Sequence, residues 1–208
     1  MRIGIFGGSF DPIHQGHLIL AERCRAEANL DEVWFLLCAT NPLKSNGANG
    51  TDRQRCEMVE LAIAGHEGFK LSKIELERGG VSYTVETLQQ ISDERPDDEL
   101  FFLMGDDSLE GFDRWKEPEK ICQLCLPLIV NRPGSGVVDL SVLEKYVDAD
   151  RFKLIQQLQV TSPMVDISSR EIRSRIAADK SVRYLLPRAV QRYIETQGLY
   201  QAPVETKG

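Results

Sequence analysis

The sequence lacks several features that would place it in other classes of protein. Its 208 residues contain no apolar run long enough to cross a bilayer, so we expect no membrane partner. The first apolar segment breaks at Gly7 and Gly8, before the apolar core of a signal peptide is complete, which favours a cytoplasmic protein. The net charge is −7, and we expect no nucleic-acid partner because binding to a phosphate backbone needs a basic face.

A disulfide framework is also missing. The five cysteines are an odd number and lie within apolar segments, as buried cysteines of a reducing compartment do. Cys122 and Cys125 form a CxxC pair, which is the spacing of half a zinc site or of a redox pair. Because no second pair stands at metal spacing, we interpret both as packing residues and expect no protein-bound metal.

What the sequence does contain is an alternation of strand-like and helix-like segments. Apolar runs typical of strands cover residues 2–6, 33–37, 69–76, 100–104, 126–130 and 152–160. Apolar spacing and capping residues indicate helices at 17–28, 84–91 and 141–147, and helices that begin at Thr51, Ser168 and Pro187. This alternation predicts an α/β fold: a Rossmann-like, doubly wound parallel sheet in a single domain over residues 1–200, followed by a disordered tail at 201–208. Ligands of such a fold bind at the carboxyl ends of the strands.

The string that carries the chemistry follows the first strand directly. It reads Gly7-Gly8-Ser9-Phe10-Asp11-Pro12-Ile13-His14-Gln15-Gly16-His17. The glycine pair lets the backbone turn tightly and present N–H groups to phosphate oxygens. His14 and His17 are three residues apart where a helix begins, so both imidazoles can lie at a terminus that already favours anions. The structural alternative is a histidine that only caps the helix after a tight turn.

A second string, Ile167-Ser168-Ser169-Arg170-Glu171-Ile172-Arg173, has the composition of another anion-receptive helix start. Ser168 and Glu171 form a capping box, and the same helix carries Arg170 and Arg173. Taken alone, this string could equally be an ordinary capped helix with solvated arginines. The two strings together resemble the nucleotidyltransferase superfamily, whose marks are (S/T)FDPxHxGH and an ISSxxIR-like segment.

The resemblance to this superfamily implies a set of functional residues. The implied catalytic residues are His14, His17 and Arg173. The implied ATP-binding residues are Gly7, Gly8, Ser9, Phe10, His14, His17, Gly105, Asp107, Ile167, Ser168 and Arg173.

Other segments resemble nicotinate-nucleotide adenylyltransferases in particular. They are SYTVETL at 82–88, Gly105-Asp106-Asp107 followed by Trp115, Arg132-Pro133-Gly134, and the stretch from Tyr184 to Tyr200. The resemblance implies that an exposed Trp115 stacks on a pyridine ring and that the N–H groups of Tyr83 and Thr84 receive a carboxylate. It also implies that Lys44 and Arg132 receive the phosphate of the acceptor.

Alternatives and departures from the family pattern accompany these assignments. Core packing is the structural alternative for Trp115 and Tyr83. Leu43 stands where the family often has a histidine before Lys44, which removes one possible phosphate donor. Arg170 stands where threonine is commoner, and it either adds an anion contact or points to solvent.

The reaction that the resemblance implies is adenylyl transfer from ATP to nicotinate mononucleotide, with Mg²⁺ accompanying ATP and pyrophosphate as the leaving group. Asp107 is suited to ribose hydroxyls or to Mg²⁺. The rival interpretations are a nucleotidyltransferase with another acceptor, such as phosphopantetheine, and a nucleotide-binding sensor without turnover. The sequence leaves open the oligomeric state and the preference between the nicotinate and nicotinamide forms of the acceptor.

Overall fold

The computed structural model describes residues 1–39, 48–131, 138–161, 163 and 165–202. Within these ranges six parallel strands form one sheet in the order β3-β2-β1-β4-β5-β6. The strands are β1 (Arg2–Gly8), β2 (Glu32–Leu37), β3 (Phe69–Ser72), β4 (Glu99–Gly105), β5 (Leu126–Asn131) and β6 (Val160–Thr161). The predicted α/β doubly wound parallel sheet is thereby confirmed.

Helices cover both faces of this sheet. Those described are α1 (Gln15–Glu27), α2 (Asp52–Ile63), α3 (Ile74–Arg78), α4 (Thr84–Glu94), α5 (Asp106–Glu110), α6 (Pro118–Leu124), α7 (Ser141–Glu144), α8 (Ala149–Gln157), α9 (Ser169–Ala177) and α10 (Arg188–Gln197), with a short 3-10 helix at Phe112–Arg114. Buried residues of α1, α2, α9 and α10 share one apolar core, and those of α4 to α8 share a second core on the opposite face. Successive residues of β4 alternate between the two cores, as a strand buried on both faces requires.

The order of the strands fixes where a ligand can bind. From β1 the chain proceeds outward through β2 and β3, and then returns to place β4 on the other side of β1. The connections therefore diverge at the carboxyl ends of β1 and β4, which leaves a crevice at that point. The glycine-rich string begins with Gly7 and Gly8, which are the last two residues of β1 rather than a turn after it, and Gly105 is the last residue of β4.

The strand predicted at 152–160 is wrong over most of its length. Residues Ala149–Gln157 form α8, and only Val160–Thr161 are a strand. The side chain of Asp148 caps this helix by accepting the N–H of Arg151 at 2.8 Å. Phe152 and Ile155 are three residues apart and both belong to the second core, so a run that looks apolar in sequence forms one helical face.

Two further predictions of local structure need correction. The strand predicted at 69–76 ends at Ser72, and α3 begins at Ile74. Glu75 of this helix is 5% exposed and accepts a hydrogen bond from the hydroxyl of Thr87 at 2.9 Å. The helix predicted at 141–147 ends at Glu144, and its cap differs from the one expected. The carboxylate of Asp139 accepts the N–H of Ser141 at 2.9 Å, so Ser141 is a helical residue rather than the cap.

The CxxC pair lies in the core between α6 and the sheet. Both thiols are buried, and burial raises the pKa of the Cys122 thiol to about 11 and raises that of Cys125 further. The sulfur of Cys125 donates to the carbonyl of Ile121 at 3.2 Å. A thiol with a raised pKa is a poor nucleophile and a poor metal ligand, so these two residues serve as packing.

Candidate active site

Two histidines form a reciprocal cap at the start of α1. His14 occupies the N-cap position, and its Nδ1 atom accepts the N–H of His17 at 3.4 Å. The Nδ1 atom of His17 in turn accepts the N–H of His14 at 3.2 Å. The two rings are stacked with centroids 3.6 Å apart and planes 16° apart. The capping alternative is therefore true of these residues, and both cap contacts use the Nδ1 atoms of the rings.

This cap also determines which nitrogen can donate. An Nδ1 atom that accepts a backbone N–H carries no proton, so a neutral ring holds its proton on Nε2. Burial lowers the pKa of His14 to about 4, which keeps that ring neutral near pH 7. His14 is 5% exposed, so its Nε2–H is a donor held in a low-dielectric surrounding. The pair thus presents N–H donors at the positive end of a helix, as an anion site requires.

Steric crowding explains why glycine occupies position 16 of the HxGH string. A Cβ atom added at Gly16 would lie 3.2 Å from Cε1 and Nδ1 of the His14 ring. Any larger residue would therefore press on the imidazole that caps the helix. Gly8 faces a similar restriction, because its added Cβ would lie 2.8 Å from Phe10. Phe10 is 1% exposed and packs edge-on against the ring of His17 with centroids 5.1 Å apart.

The second string meets the first at this point. The hydroxyl of Ser168 accepts the N–H of Glu171 at 3.1 Å and thereby caps α9. The next residue, Ser169, donates from its hydroxyl to the carbonyl of Pro12 at 2.8 Å. A Cβ atom built on Gly16 would lie only 3.7 Å from the Cβ of Ile167. The starts of α1 and α9 are therefore neighbours, although more than 150 residues separate them in the chain.

Arg173 provides a cation at this junction. Its Nη1 donates to the main-chain carbonyl of Asp11 at 2.6 Å and lies 3.8 Å from the carboxylate of the same residue. The guanidinium carries five N–H donors, so this contact leaves others for a ligand. Arg170 lies in the first turn of α9 and is exposed, which agrees with the solvent-facing alternative for this residue.

Comparisons with known proteins show which family this chain belongs to. Residues 5–175 match the model of the cytidylyltransferase-like family. A protein of Geobacter sp. named "Probable nicotinate-nucleotide adenylyltransferase" is 41% identical over 96% of this chain and 98% of its own length. A protein of the same name from Rhodopirellula baltica is 37% identical over 96% and 93%. The chain belongs to the nicotinate-nucleotide adenylyltransferase family.

The fold of a solved structure agrees with this membership. The nicotinic acid mononucleotide adenylyltransferase of Plasmodium falciparum, described as complexed with NaAD, superimposes with a TM-score of 0.76. The match covers 96% of this chain and 97% of that chain at 22% sequence identity. The predictions of the family and of an ATP-dependent adenylyltransferase are confirmed by the family match and the curated relatives.

The residues that the family resemblance assigns to the acceptor are placed by α4 and by the segment after β4. Tyr83 is the N-cap residue of α4 and Thr84 is its first residue, so their N–H groups do stand at a helix start. The side-chain amine of Lys116 lies 4.5 Å from the centroid of the Tyr83 ring. The hydroxyl of Ser82 accepts the N–H of Ala39 at 3.2 Å, which ties this segment to the chain that follows β2.

Trp115 is half-buried, whereas the sequence predicted an exposed ring. It packs against Phe102 of β4 with centroids 5.7 Å apart at 83°, and against Phe112 at 5.5 Å. These contacts pack one side of the indole against the second core. Trp115 can therefore pack in the core and still contact a ligand with its other side. Lys44 and Arg132, together with Leu43, lie outside the described residues.

Asp107 is exposed in the first turn of α5, directly after Gly105 at the carboxyl end of β4. The carboxylate of Asp106 accepts the N–H of Asp107 at 3.1 Å. Asp106 is half-buried and supports the start of this short helix. Asp107, the aspartate of the family pattern, therefore lies at the edge of the crevice, where Asp106 accepts its N–H.

Sequence reasoning missed a buried arginine that holds the site. Arg55 of α2 is 1% exposed and donates from Nη1 to the carbonyls of Ser9 at 2.8 Å and Cys38 at 3.0 Å. Its Nη2 pairs with Asp52 at 2.6 Å. These bonds connect the turns after β1 and β2 through one side chain. The signal available in the sequence was an arginine flanked by residues of the buried face of α2, such as Cys56 and Met58.

Asp11 was also missed, although it belongs to the string that sequence reasoning singled out. It is 3% exposed, and its carboxylate accepts hydrogen bonds from residues far along the chain. Nothing in the local sequence indicates those partners. Asp11 is satisfied by protein donors and therefore has little capacity to act as a metal ligand.

Proposed function

We propose that this chain transfers the adenylyl group of ATP to nicotinate mononucleotide, forming nicotinate adenine dinucleotide and pyrophosphate. Membership of the family supports the reaction. The observation that carries the proposal for this chain is the meeting of two capped helix starts, α1 and α9, with the stacked histidines and Arg173 between them. Such a junction gathers N–H donors and one cation for a chain of phosphates.

The chemical step is an in-line displacement at the α-phosphorus of ATP. An oxygen of the acceptor phosphate forms the new P–O bond, and the bond from the α-phosphorus to the bridging oxygen breaks. Its electron pair leaves with pyrophosphate. A phosphate oxygen is already a nucleophile near neutral pH, so the step needs no general base. The protein contributes position and electrostatic stabilisation, which dominate catalysis of phosphoryl transfer.

Each residue of the junction has a role in this proposal. His14 and His17 donate from Nε2 to the α-phosphate and to the oxygen that leaves, where negative charge grows. Arg173 receives the β- and γ-phosphates. The helix starts and the chain of Gly7, Gly8, Ser9 and Phe10 orient the nucleotide. Gly105, Asp107, Ile167 and Ser168 complete the proposed ATP site.

The acceptor site is proposed at the starts of α4 and α5. Tyr83 and Thr84 would receive the nicotinate carboxylate, and Trp115 would offer the face of its ring that does not pack on Phe102. Lys44 and Arg132 are proposed for the acceptor phosphate on the family resemblance alone.

Mg²⁺ is proposed to arrive with ATP and to be held by phosphate oxygens, where it neutralises charge. The junction fits an ion that is held by phosphate oxygens rather than by the protein. The described groups of the junction are N–H donors, and the Asp11 carboxylate already accepts hydrogen bonds from protein donors. Asp107, which is exposed in the first turn of α5, is proposed to contact the ion or a ribose hydroxyl.

We further propose that residues 1–200 form one domain that works in the cytoplasm. The last helix, α10, packs against α2, where the hydroxyl of Tyr193 donates to Glu57 at 2.5 Å. All five cysteines are free thiols, as expected of a reducing compartment. No helix of the described ranges could span a membrane.

The test is an assay of purified protein with ATP, Mg²⁺ and either nicotinate or nicotinamide mononucleotide, in which pyrophosphate and dinucleotide are both measured. We expect dinucleotide from the nicotinate form, and a loss of about 100-fold in kcat in His17→Ala because one donor to a developing charge is removed. His66→Ala is the matched control, since His66 pairs with Glu22 on another part of the surface. Nucleotide binding without pyrophosphate release would indicate a sensor, and absence of dinucleotide from either acceptor would refute the acceptor assignment.

A further inference from the structure

The carboxylate of Asp11 joins three parts of the chain that are distant in sequence. Its Oδ2 atom accepts the N–H of Asn49 at 2.7 Å and the side-chain amide of the same residue at 3.3 Å. Its Oδ1 atom accepts the N–H of Gly50 at 3.0 Å and the hydroxyl of Tyr200 at 2.6 Å. Tyr200 lies 189 residues further along the chain, beyond the end of α10. We call these four residues the Asp11 cluster.

The cluster is closely packed rather than incidental. A Cβ atom added at Gly50 would lie 3.1 Å from Oδ1 of Asp11 and 3.4 Å from the hydroxyl of Tyr200. Burial, together with the hydrogen bond to Asp11, raises the pKa of Tyr200 above its usual range. The phenol is therefore a neutral donor throughout the working range of pH. A buried carboxylate that loses such a donor keeps its charge in a poorly solvating surrounding, which is costly.

The cluster is connected to the proposed phosphate site through Arg173, which contacts the main-chain carbonyl of Asp11 at 2.6 Å and lies 3.8 Å from its carboxylate. Arg173 donates to the carbonyl oxygen of Asp11, the residue whose side chain Tyr200 and Gly50 hold. The position of that carbonyl sets the direction of the Arg173 guanidinium. The side chain of Arg173 is 27% exposed, so it is accessible to a ligand while its Nη1 atom is anchored on Asp11.

We propose that Tyr200 is a positioning residue for ATP: its hydroxyl holds the Asp11 carboxylate, and through Asp11 it orients Arg173 toward the phosphates. The proposal rests on the proposed function only in taking Arg173 as a ligand of the ATP phosphates. Tyr200 itself touches no reacting atom in this scheme. The C-terminal segment that carries it would thus contribute to substrate affinity and not only to folding.

A double-mutant cycle separates positioning from a purely structural contact. The variants are Tyr200→Phe, Arg173→Ala and the double variant, and the probe is a non-hydrolysable ATP analogue whose Kd is measured by calorimetry. We expect Tyr200→Phe to weaken binding about tenfold, the factor that follows from losing a hydrogen bond to a charged group. In the Arg173→Ala background the same change should alter the Kd less than about twofold, because the group that Tyr200 orients is gone.

Tyr193→Phe is the matched control. It removes a phenol that donates to a carboxylate at 2.5 Å from the same C-terminal region, but its partner is Glu57 and not Asp11. We expect it to leave the Kd of the analogue within about twofold of wild type. The melting temperature of every variant is recorded in parallel, so that a loss of folded protein is recognised. If Tyr200→Phe does not fold, Gly50→Ala takes its place in the cycle, because its Cβ would lie 3.1 Å from Oδ1 of Asp11 and 3.4 Å from the Tyr200 hydroxyl and would disturb the contact between them.

Three results would overturn the inference. They are an unchanged Kd in Tyr200→Phe, an equal loss in both backgrounds, or an equal loss in Tyr193→Phe. A failure of the proposed function is recognised separately. If wild type forms no dinucleotide but the cycle shows coupling, the acceptor assignment fails and the inference stands. If wild type forms dinucleotide and the cycle is additive, only the inference fails.

Discussion

Replacing His14 by asparagine should remove a pH-dependent part of the free energy of unfolding. Burial lowers the pKa of His14 from its ordinary value near 6.5 to about 4 in the folded protein. Between these two values the unfolded chain binds a proton that the folded chain does not bind. Stability therefore rises with pH in this window and is lost as pH falls from 6.5 toward 4. Asparagine does not titrate, and it is a favoured N-cap residue, so the helix start is retained.

The magnitude follows from the difference between the two pKa values. One pKa unit corresponds to about 1.4 kcal/mol, so the full window is worth about 3 kcal/mol and the part above pH 5 about 2 kcal/mol. His14 is only 5% exposed, so solvent screens this contribution little. We expect wild type to lose about 2 kcal/mol more than His14→Asn when pH is lowered from 7.5 to 5.

The measurement is urea unfolding of both proteins at pH 7.5 and pH 5, followed by the fluorescence of the two tryptophans. The carboxylates that titrate near pH 5 are present in both proteins, so they cancel in the comparison. The reasoning would be refuted if the two proteins lost the same free energy within about 0.5 kcal/mol. That result would mean that the His14 ring is solvated or gains a partner when protonated.

Two further predictions concern the residues that shape the site. Arg55→Ala should lower the free energy of unfolding by about 3 kcal/mol, because the carbonyls that Arg55 bridges lose buried, charge-assisted hydrogen bonds. The control is Arg53→Ala on the exposed side of α2, which should change the free energy of unfolding by less than about 1 kcal/mol in the same urea titration. Gly16→Ala should reduce kcat by at least about tenfold, because its Cβ would lie 3.2 Å from the His14 ring and displace it. Circular dichroism should show little change in fold. Activity at the wild-type level would show that the ring need not stay in place.

The capping of the helices shows what local sequence can decide. Thr51 caps α2 and Ser168 caps α9 as predicted, because a cap closes its hydrogen bonds within four residues. The HxGH string was likewise placed at the start of a helix from its own residues. At 149–157 a strand pattern and a helix pattern competed. The apolar run was predicted to be a strand because the same residues fit both alternate spacing and threefold spacing.

The active site divides in the same way. The sequence by itself determined the parallel α/β fold class, the two helix starts with their anion-receptive residues, and the family, since each depends on short runs of neighbours. Only the tertiary structure decided that Tyr200 meets Asp11, that Arg55 bridges two turns, and that Trp115 is half-buried. It also decided that His14 is neutral, because desolvation comes from packing against other parts of the chain. Burial and partners over 100 residues away depend on how the layers pack, and a linear pattern does not encode that geometry position by position.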